Sequence, residues 1–231
     1  MRVLELFSGT QSVSKAFHSI NKNIEIISLD IEKKFNPTHL CDIMNFDYKQ
    51  YPKNHFDIIW SSFPCNYFSR MRRTNIGKFI KGGNGKRYTR ELLEEEEKTK
   101  GLPPLLKSKE IIEYFKPEFY FLENPDGSKA DNYIKVHGSD PFLYGINKYV
   151  VSYCKYGFNY RKNTIIWTNA VGFNAKLCKN DCDHIENKKH IMTIARLGGQ
   201  TSFKNKCLKY RIPPLLLCDL FHHIGVKGAN I

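Results

Sequence analysis

No run of the chain approaches the roughly 20 consecutive apolar residues that a membrane-crossing helix needs, so no membrane partner is expected. No secretory leader is expected either, since Met1 passes straight into the strand-like Arg2-Val3-Leu4. There is no internal repeat and no low-complexity tail, which sets aside solenoids and disordered arrays. Acidic residues are in short supply. Only 23 Asp and Glu stand against 36 Lys and Arg, a net charge of +13 that favours nucleic acid or another polyanion as partner. The cysteines do not form an even, paired set; there are seven, at positions 41, 65, 154, 178, 182, 207 and 218. Free thiols in a reducing compartment, with room for one metal site, are the simplest account. The expectation is a soluble, intracellular, monomeric protein.

What is present supports a real core. A chain of 231 residues, 41% hydrophobic and 13% aromatic, suffices for one α/β domain with a small lobe attached. The organising stretch is Phe56-Asp57-Ile58-Ile59-Trp60-Ser61-Ser62-Phe63-Pro64-Cys65-Asn66-Tyr67-Phe68-Ser69. Its apolar start, 56–60, predicts a buried strand. Pro64 then breaks the run and sets Cys65 just past the strand's carboxyl end, the edge of an open α/β sheet where reacting groups gather. The next 21 residues, 70–90, hold eight Lys or Arg, four glycines and no acid, which predicts a mobile cationic flap. A lone cysteine is more often a small buried apolar side chain. A thiol at a strand end followed by a basic flap points instead to nucleophilic chemistry on a polyanion.

Other apolar runs carry the same signature. Residues 2–7 read as the first strand and Ser8-Gly9-Thr10-Gln11-Ser12 as a turn, with Val13, Ala16, Phe17 and Ile20 at helical spacing. Such a layout can hold a nucleotide-like ligand on backbone N–H groups. A second strand, 24–29, ends on Asp30, 21 residues after Gly9 and near the spacing at which an acid meets a ribose. Cys41-Asp42-Ile43 is a further polar stop, and the run 118–122 ends on Glu123-Asn124-Pro125. Ser8, Asp30, Asp42, Cys65 and Glu123 therefore all fall where strands stop. A doubly wound, mostly parallel sheet would bring them to one crevice.

Between these runs, Glu91 and the acids at 94–97 read as a solvated helix face. Gly101-Leu102-Pro103-Pro104 reads as a break before an amphipathic helix over 105–115. Two strands are expected at 150–154 and 164–168, and a proline-led closing helix follows residue 210. The division expected is a catalytic domain over 1–168, a small irregular target-recognition lobe over 169–209, and a closing helix over 210–231.

Taken in order, these segments resemble the cytosine-C5 DNA methyltransferase family, in the compact form found in phages and large DNA viruses. Leu4-Glu5-Leu6-Phe7-Ser8-Gly9-Thr10 is similar to the motif that holds S-adenosylmethionine, Leu29-Asp30-Ile31 to the one whose acid binds the ribose, and Asp42-Ile43 to the one beside the adenine. The resemblance implies S-adenosylmethionine as cofactor, held by Phe7, Ser8, Gly9, Thr10, Gln11, Ser12, Asp30, Ile31, Asp42, Ile43 and Pro64. It makes Cys65 the nucleophile, Glu123 the carboxylate on the target cytosine, and Arg161 the basic residue near the base. Ile212-Pro213-Pro214-Leu215 resembles the motif that returns to the cofactor pocket. DNA is the implied partner, gripped by Ser69, Arg70, Arg72, Arg73, Lys78, Lys81, Lys86 and Arg87 once a base has flipped out of the duplex. A viral or phage origin would place the protein in the cytoplasm or nucleus of a host.

The sequence also departs from the family pattern. Gln11 stands where many members carry glycine, Asn159-Tyr160-Arg161-Lys162 replaces a Gln-x-Arg pattern, and Tyr210-Arg211 replaces Asn with a small residue. A catalytically silent DNA-binding relative and an RNA cytosine-C5 methyltransferase therefore stay open. An amino-group methyltransferase is disfavoured, since those carry an aromatic residue at the position of Cys65. Finally, Cys178-x3-Cys182 with His184 and His190 offers ligands for a structural zinc, with Cys178, Cys182 and His190 as the chosen set and the fourth ligand open.

Overall fold

Alternation along the central strands decides the architecture. In β1 (Arg2–Leu6), Val3 points to one face while Leu4 and Leu6 point to the other, and all three are buried. In β4 (Ile58–Ser61), Ile58 and Trp60 oppose Ile59 in the same way. A strand apolar on both faces needs cover on both, as in doubly wound sheets. The computed structural model describes residues 1–137, 141–187, 189–193 and 210–227. Its main sheet also contains β2 (Glu25–Asp30), β3 (His39–Leu40), β5 (Phe119–Pro125), β6 (Asn147–Ser152) and, after the short β7 (Tyr160–Arg161), β8 (Asn163–Thr168). The order is β3-β2-β1-β4-β5-β8-β6, with β8 antiparallel to both neighbours and the other pairings parallel. The chain winds outward in opposite directions on either side of β1, so the ligand crevice of such a sheet lies at the carboxyl ends of β1 and β4.

One face is covered by α1 (Ser12–Ile20) and α4 (Pro214–His223), whose Phe17 and Phe221 rings stack at 3.7 Å between centroids. The other is covered by α3 (Leu102–Phe115) through Leu105, Ile111, Ile112 and Phe115. The expected break at Gly101-Leu102-Pro103-Pro104 does not occur. Instead α2 (Arg90–Glu96) runs through one π-type turn, Glu97–Gly101, directly into α3. Pro103 and Pro104 lack N–H donors, and a widened turn absorbs that loss without ending the helix. Gly101 is required there, because a Cβ would lie 2.8 Å from the Cβ of Tyr67 in the loop after β4.

The acidic run is not simply a solvated face. Glu91, Glu94 and Glu95 are exposed, but Glu96 pairs with Arg72 and Lys100, and Glu97 is buried between Lys129 and the Tyr133 hydroxyl. Of the expected recognition lobe, residues 194–209 lie outside the described residues. The preceding part holds the hairpin of β9 (Ile185–Glu186) and β10 (Lys189–His190), then β11 (Met192–Thr193), which pairs with β7. No described helix is long and apolar enough to cross a membrane.

One buried charge has a measurable consequence. Gln11 at the start of α1 makes no side-chain cap. Glu5 of β1 caps the helix instead, accepting from the Val13 and Ser14 amides at 3.3 and 3.1 Å and from the Ser14 hydroxyl. Burial pushes its carboxyl up from 4.5 to about 7, against the pull of those donors. The protonated form is therefore the better fit to the folded state. The stability that Glu5 contributes is complete below about pH 4.5 and disappears as pH rises through about 7, a change of about 3 kcal/mol. The melting temperature of the wild type relative to Glu5→Gln should fall between about pH 5 and pH 8. A constant difference over that window would show that Glu5 does not titrate there.

Candidate active site

The turn after β1 is wound tightly. Phe7, Gly9 and Gln11 all have positive φ, at 57°, 45° and 54°. Gln11 thus holds the left-handed conformation that glycine takes without strain, which accounts for the glycine many sequences of this type carry there. The Asp30 carboxylate, at the end of β2, accepts from the Gly9 amide at 2.7 Å and the Glu32 amide at 2.8 Å, one bond to each oxygen. Each oxygen keeps capacity for a further donor, which suits a vicinal diol. The Ser8 hydroxyl is buried and has no partner among the described residues. Thr10 and Ser12 hydroxyls lie 3.0 Å apart, and Ser12 accepts from the Ile212 amide at 3.2 Å, so the segment before α4 does return to this turn.

Two of the expected cofactor contacts differ in kind. Ile31 is 66% exposed at the tip of β2, offering an apolar surface beside Asp30. Ile43 points the other way, into the core, and cannot present its side chain to a ligand. Asp42 is exposed and caps the short turn Ile43–Asn45 by accepting from the Met44 amide.

The thiol and the carboxylate stand on adjacent parallel strands. Ser61 pairs with Leu122, so Glu123 and the Pro64-Cys65 loop leave the same edge of the sheet. Asn124, buried, ties them together by donating from Nδ2 to the Phe63 carbonyl at 2.9 Å. The Cys65 carbonyl accepts from the Phe68 amide at 3.1 Å, which closes the turn. Cys65 itself is half-buried beside half-buried Pro64. Burial pushes its thiol above the ordinary value, the Glu123 charge pushes it further, and Lys162 pulls it back. These three groups therefore share one electrostatic environment.

Arg161 is not part of it. Its guanidinium donates to the Asn163 side chain at 3.2 Å and to that of Asn180 at 3.4 Å, away from Glu123. The neighbouring Lys162 faces the site instead, with Nζ 3.8 Å from Glu123 Oε1 and 4.7 Å above the Tyr153 ring. Successive residues of an extended segment point to opposite sides, so a one-position difference in register exchanges the two roles. Tyr153 completes the group, donating its buried hydroxyl to Glu123 Oε1 at 3.3 Å. Sequence reasoning passed over Lys162, Tyr153 and Asn124. Tyr153 had the same signal as the others, a polar group just past the end of an apolar run.

The basic segment is a short 3-10 helix, Arg70–Asn75, followed by a hairpin over 77–88. Gly77 and Tyr88 exchange backbone bonds with their opposite neighbours, and Phe79 bridges to Arg87. Arg70, Arg73, Lys78, Lys81 and Lys86 are exposed along it. Three residues expected to grip phosphates have structural work to do. Ser69 caps the following turn through the Met71 amide, Arg72 is half-buried against Glu96 and the Tyr67 ring, and Arg87 stacks on Phe79 while donating to the Gly77 carbonyl at 2.5 Å.

Behind the Tyr153 turn lies a second cluster. The ligand atoms of Cys154, Cys178, Cys182 and His190 all fall within 4.8 Å of one another. His190 Nε2 is 3.5 Å from Cys178 Sγ and 3.4 Å from Cys182 Sγ. The fourth member left open by the sequence is Cys154, which follows Tyr153 directly; His184 is not in the set.

Comparison with known proteins identifies the family. Residues 1–137 match the model of the C-5 cytosine-specific DNA methylases. Over 231 residues the chain is 35% identical to a protein of Frog virus 3 (isolate Goorha) named "Probable DNA (cytosine-5)-methyltransferase", covering 95% of this chain and 98% of that one. Among solved structures, the Entamoeba histolytica methyltransferase EhMeth superposes with a TM-score of 0.51 at 16% identity. That likeness covers 76% of this chain and 55% of the amoebal one, and it speaks to the fold alone. The family match over more than half the chain and the full-length viral relative lead to one conclusion: this chain belongs to the C-5 cytosine-specific DNA methylase family.

Proposed function

We propose that the protein transfers a methyl group from S-adenosylmethionine to carbon 5 of a cytosine flipped out of DNA, through a covalent bond to Cys65. The observation that carries this reading is the shared environment of Cys65, Glu123 and Lys162 at the ends of adjacent strands. When bound, S-adenosylmethionine supplies an electrophilic methyl on a sulfonium. Asp30 would hold its ribose diol, and Ser8, Gly9, Thr10 and Ser12 line the turn beside it.

Carbon 5 of cytosine is a weak nucleophile. Addition of the Cys65 thiolate to carbon 6 breaks the 5,6 double bond and places its electron pair on carbon 5 and the amidine beyond. Glu123 would meet that change at N3 and the exocyclic amine, where its carboxyl group hydrogen-bonds the base as charge develops. Tyr153 donates to one oxygen of the carboxylate, and Lys162 supplies positive charge beside that same oxygen. The exposed Arg70 and Arg73 and the hairpin lysines Lys78, Lys81 and Lys86 would supply the sequence-independent grip on phosphates.

Transfer of labelled methyl from S-adenosylmethionine tests the reading. Label should appear in duplex DNA as 5-methylcytosine; label confined to RNA, or none in any polymer, would overturn it. Within that assay Lys162→Met should lower kcat on the order of 10²-fold, whereas Arg161→Met should cost less than about tenfold. The reverse order would return the basic role to Arg161.

A further inference from the structure

We propose that Cys154, Cys178, Cys182 and His190 bind one zinc ion, and that this ion fixes the turn presenting Tyr153 and Lys162 to Glu123. Three thiols and an imidazole are the donor set of a closed structural zinc site. With metal–sulfur bonds of about 2.3 Å and metal–nitrogen bonds of about 2.0 Å, a tetrahedron has a sulfur–nitrogen edge of about 3.5 Å. The two sulfur–nitrogen separations here are 3.4 and 3.5 Å. A disulfide would instead draw two sulfurs to about 2.05 Å and leave the third thiol and the histidine without a role.

The surrounding chain needs such a tie. Among the described residues from 174 to 189, Cys178 alone is buried, so this segment has almost no apolar core of its own. Cys154 and His190 are also buried, at 5% and 7% exposure, while Cys182 is partly covered. The four ligands come from three separate places: the turn after β6, the irregular segment after β8, and β10. The Ser152 amide bond to the Lys176 carbonyl and the Lys155–Asp181 ion pair already link the first two places; one ion would add a tie among all three and contribute folding free energy directly. Backbone bonds carry the constraint to the site. The Cys178 amide donates to the Ser152 hydroxyl at 3.0 Å, and the Tyr153 amide donates to the Lys162 carbonyl at 3.0 Å. The cofactor turn stands at the ends of β1 and β2, with β4 and β5 between it and the β8 and β6 side of the sheet.

The test has two arms, and only the second rests on the proposed methyl transfer. Full-length protein purified without chelator should carry one zinc per chain by elemental analysis. Exchange into cobalt should give the visible bands of a tetrahedral thiolate site. Cys182→Ser should lose the ion or change that spectrum, while Cys218→Ser, a cysteine of α4 outside the cluster, should keep both. Folded, metal-free wild-type protein, or a disulfide among the three cysteines, would overturn the site. In the second arm, chelation should lower methyl transfer more than about tenfold while S-adenosylmethionine binding is retained. Unchanged transfer after complete metal loss would overturn the link to Tyr153 and Lys162. A bound ion in protein that methylates nothing would support the metal site while the reading of the reaction fails.

Discussion

Replacing Cys65 by serine is expected to lower methyl transfer into DNA by a factor on the order of 10⁴ or more. Binding of S-adenosylmethionine should change little, because Asp30, the residue proposed to hold its ribose, ends β2, at the other side of β1 from the thiol's own strand. The hydroxyl of serine is close in size to the thiol but is barely ionised at any accessible pH, and it cannot add to a pyrimidine ring at a useful rate. The geometry gives the reaction a pH signature as well. The thiolate is the reactive form, and burial together with Glu123 holds the Cys65 thiol above its ordinary range. The rate with free enzyme and limiting substrate should therefore climb as pH rises from neutral into the alkaline range. A flat profile across that range would mean that the thiol is already ionised before DNA binds.

Glu123→Gln is expected to act in opposite directions on two properties of the same sulfur. Methyl transfer should fall by roughly 10²- to 10⁴-fold, since a neutral amide replaces the carboxyl group that meets the charge developing on the base. Alkylation of Cys65 in the free protein should become faster at neutral pH, since the substitution removes a charge that holds the thiol up and leaves Lys162 to pull it down. Damage to the fold would also bare the thiol, so the effect is read in a variant that melts like the wild type, with the pH midpoint of Cys65 alkylation moved down. Slower transfer with slower alkylation would contradict the electrostatic coupling and leave Glu123 a packing residue. Quantitative alkylation needs the Cys65 adduct identified by mass spectrometry, because the chain has other free cysteines.

Much of the architecture was legible because apolar runs mark the strands that carry Ser8, Asp30, Cys65 and Glu123, and a parallel sheet sends carboxyl ends to one edge. The failures share a different cause, in that they turn on where a side chain points. Arg161 and Lys162 differ by one position in an extended segment, and composition cannot say which of the two faces inward. Ile43 has the sequence context of a ligand contact and the packing of a core residue. Arg72 carries the right charge for a phosphate, but Glu96 claims it, a pairing across 24 residues that no local pattern reveals. The prolines at 103 and 104 were a reasonable helix stop, and a π-type turn allowed the helix to continue through them. Cys154 was hidden for the same reason as Tyr153: it sits at the end of a strand whose importance appears only once β6, β8 and the segment around residue 178 come together.

The most direct measurement of the central claim is trapping on duplex DNA carrying 5-fluorocytosine, with S-adenosylmethionine present. Fluorine at carbon 5 cannot leave as a proton does, so a sulfur bonded to carbon 6 stays bonded after methyl transfer. The account predicts a denaturant-resistant protein–DNA complex whose cross-link maps to Cys65 and which Cys65→Ser fails to form. Wild-type protein that methylates ordinary cytosine in DNA yet gives no such complex, or one that maps to another residue, would contradict it.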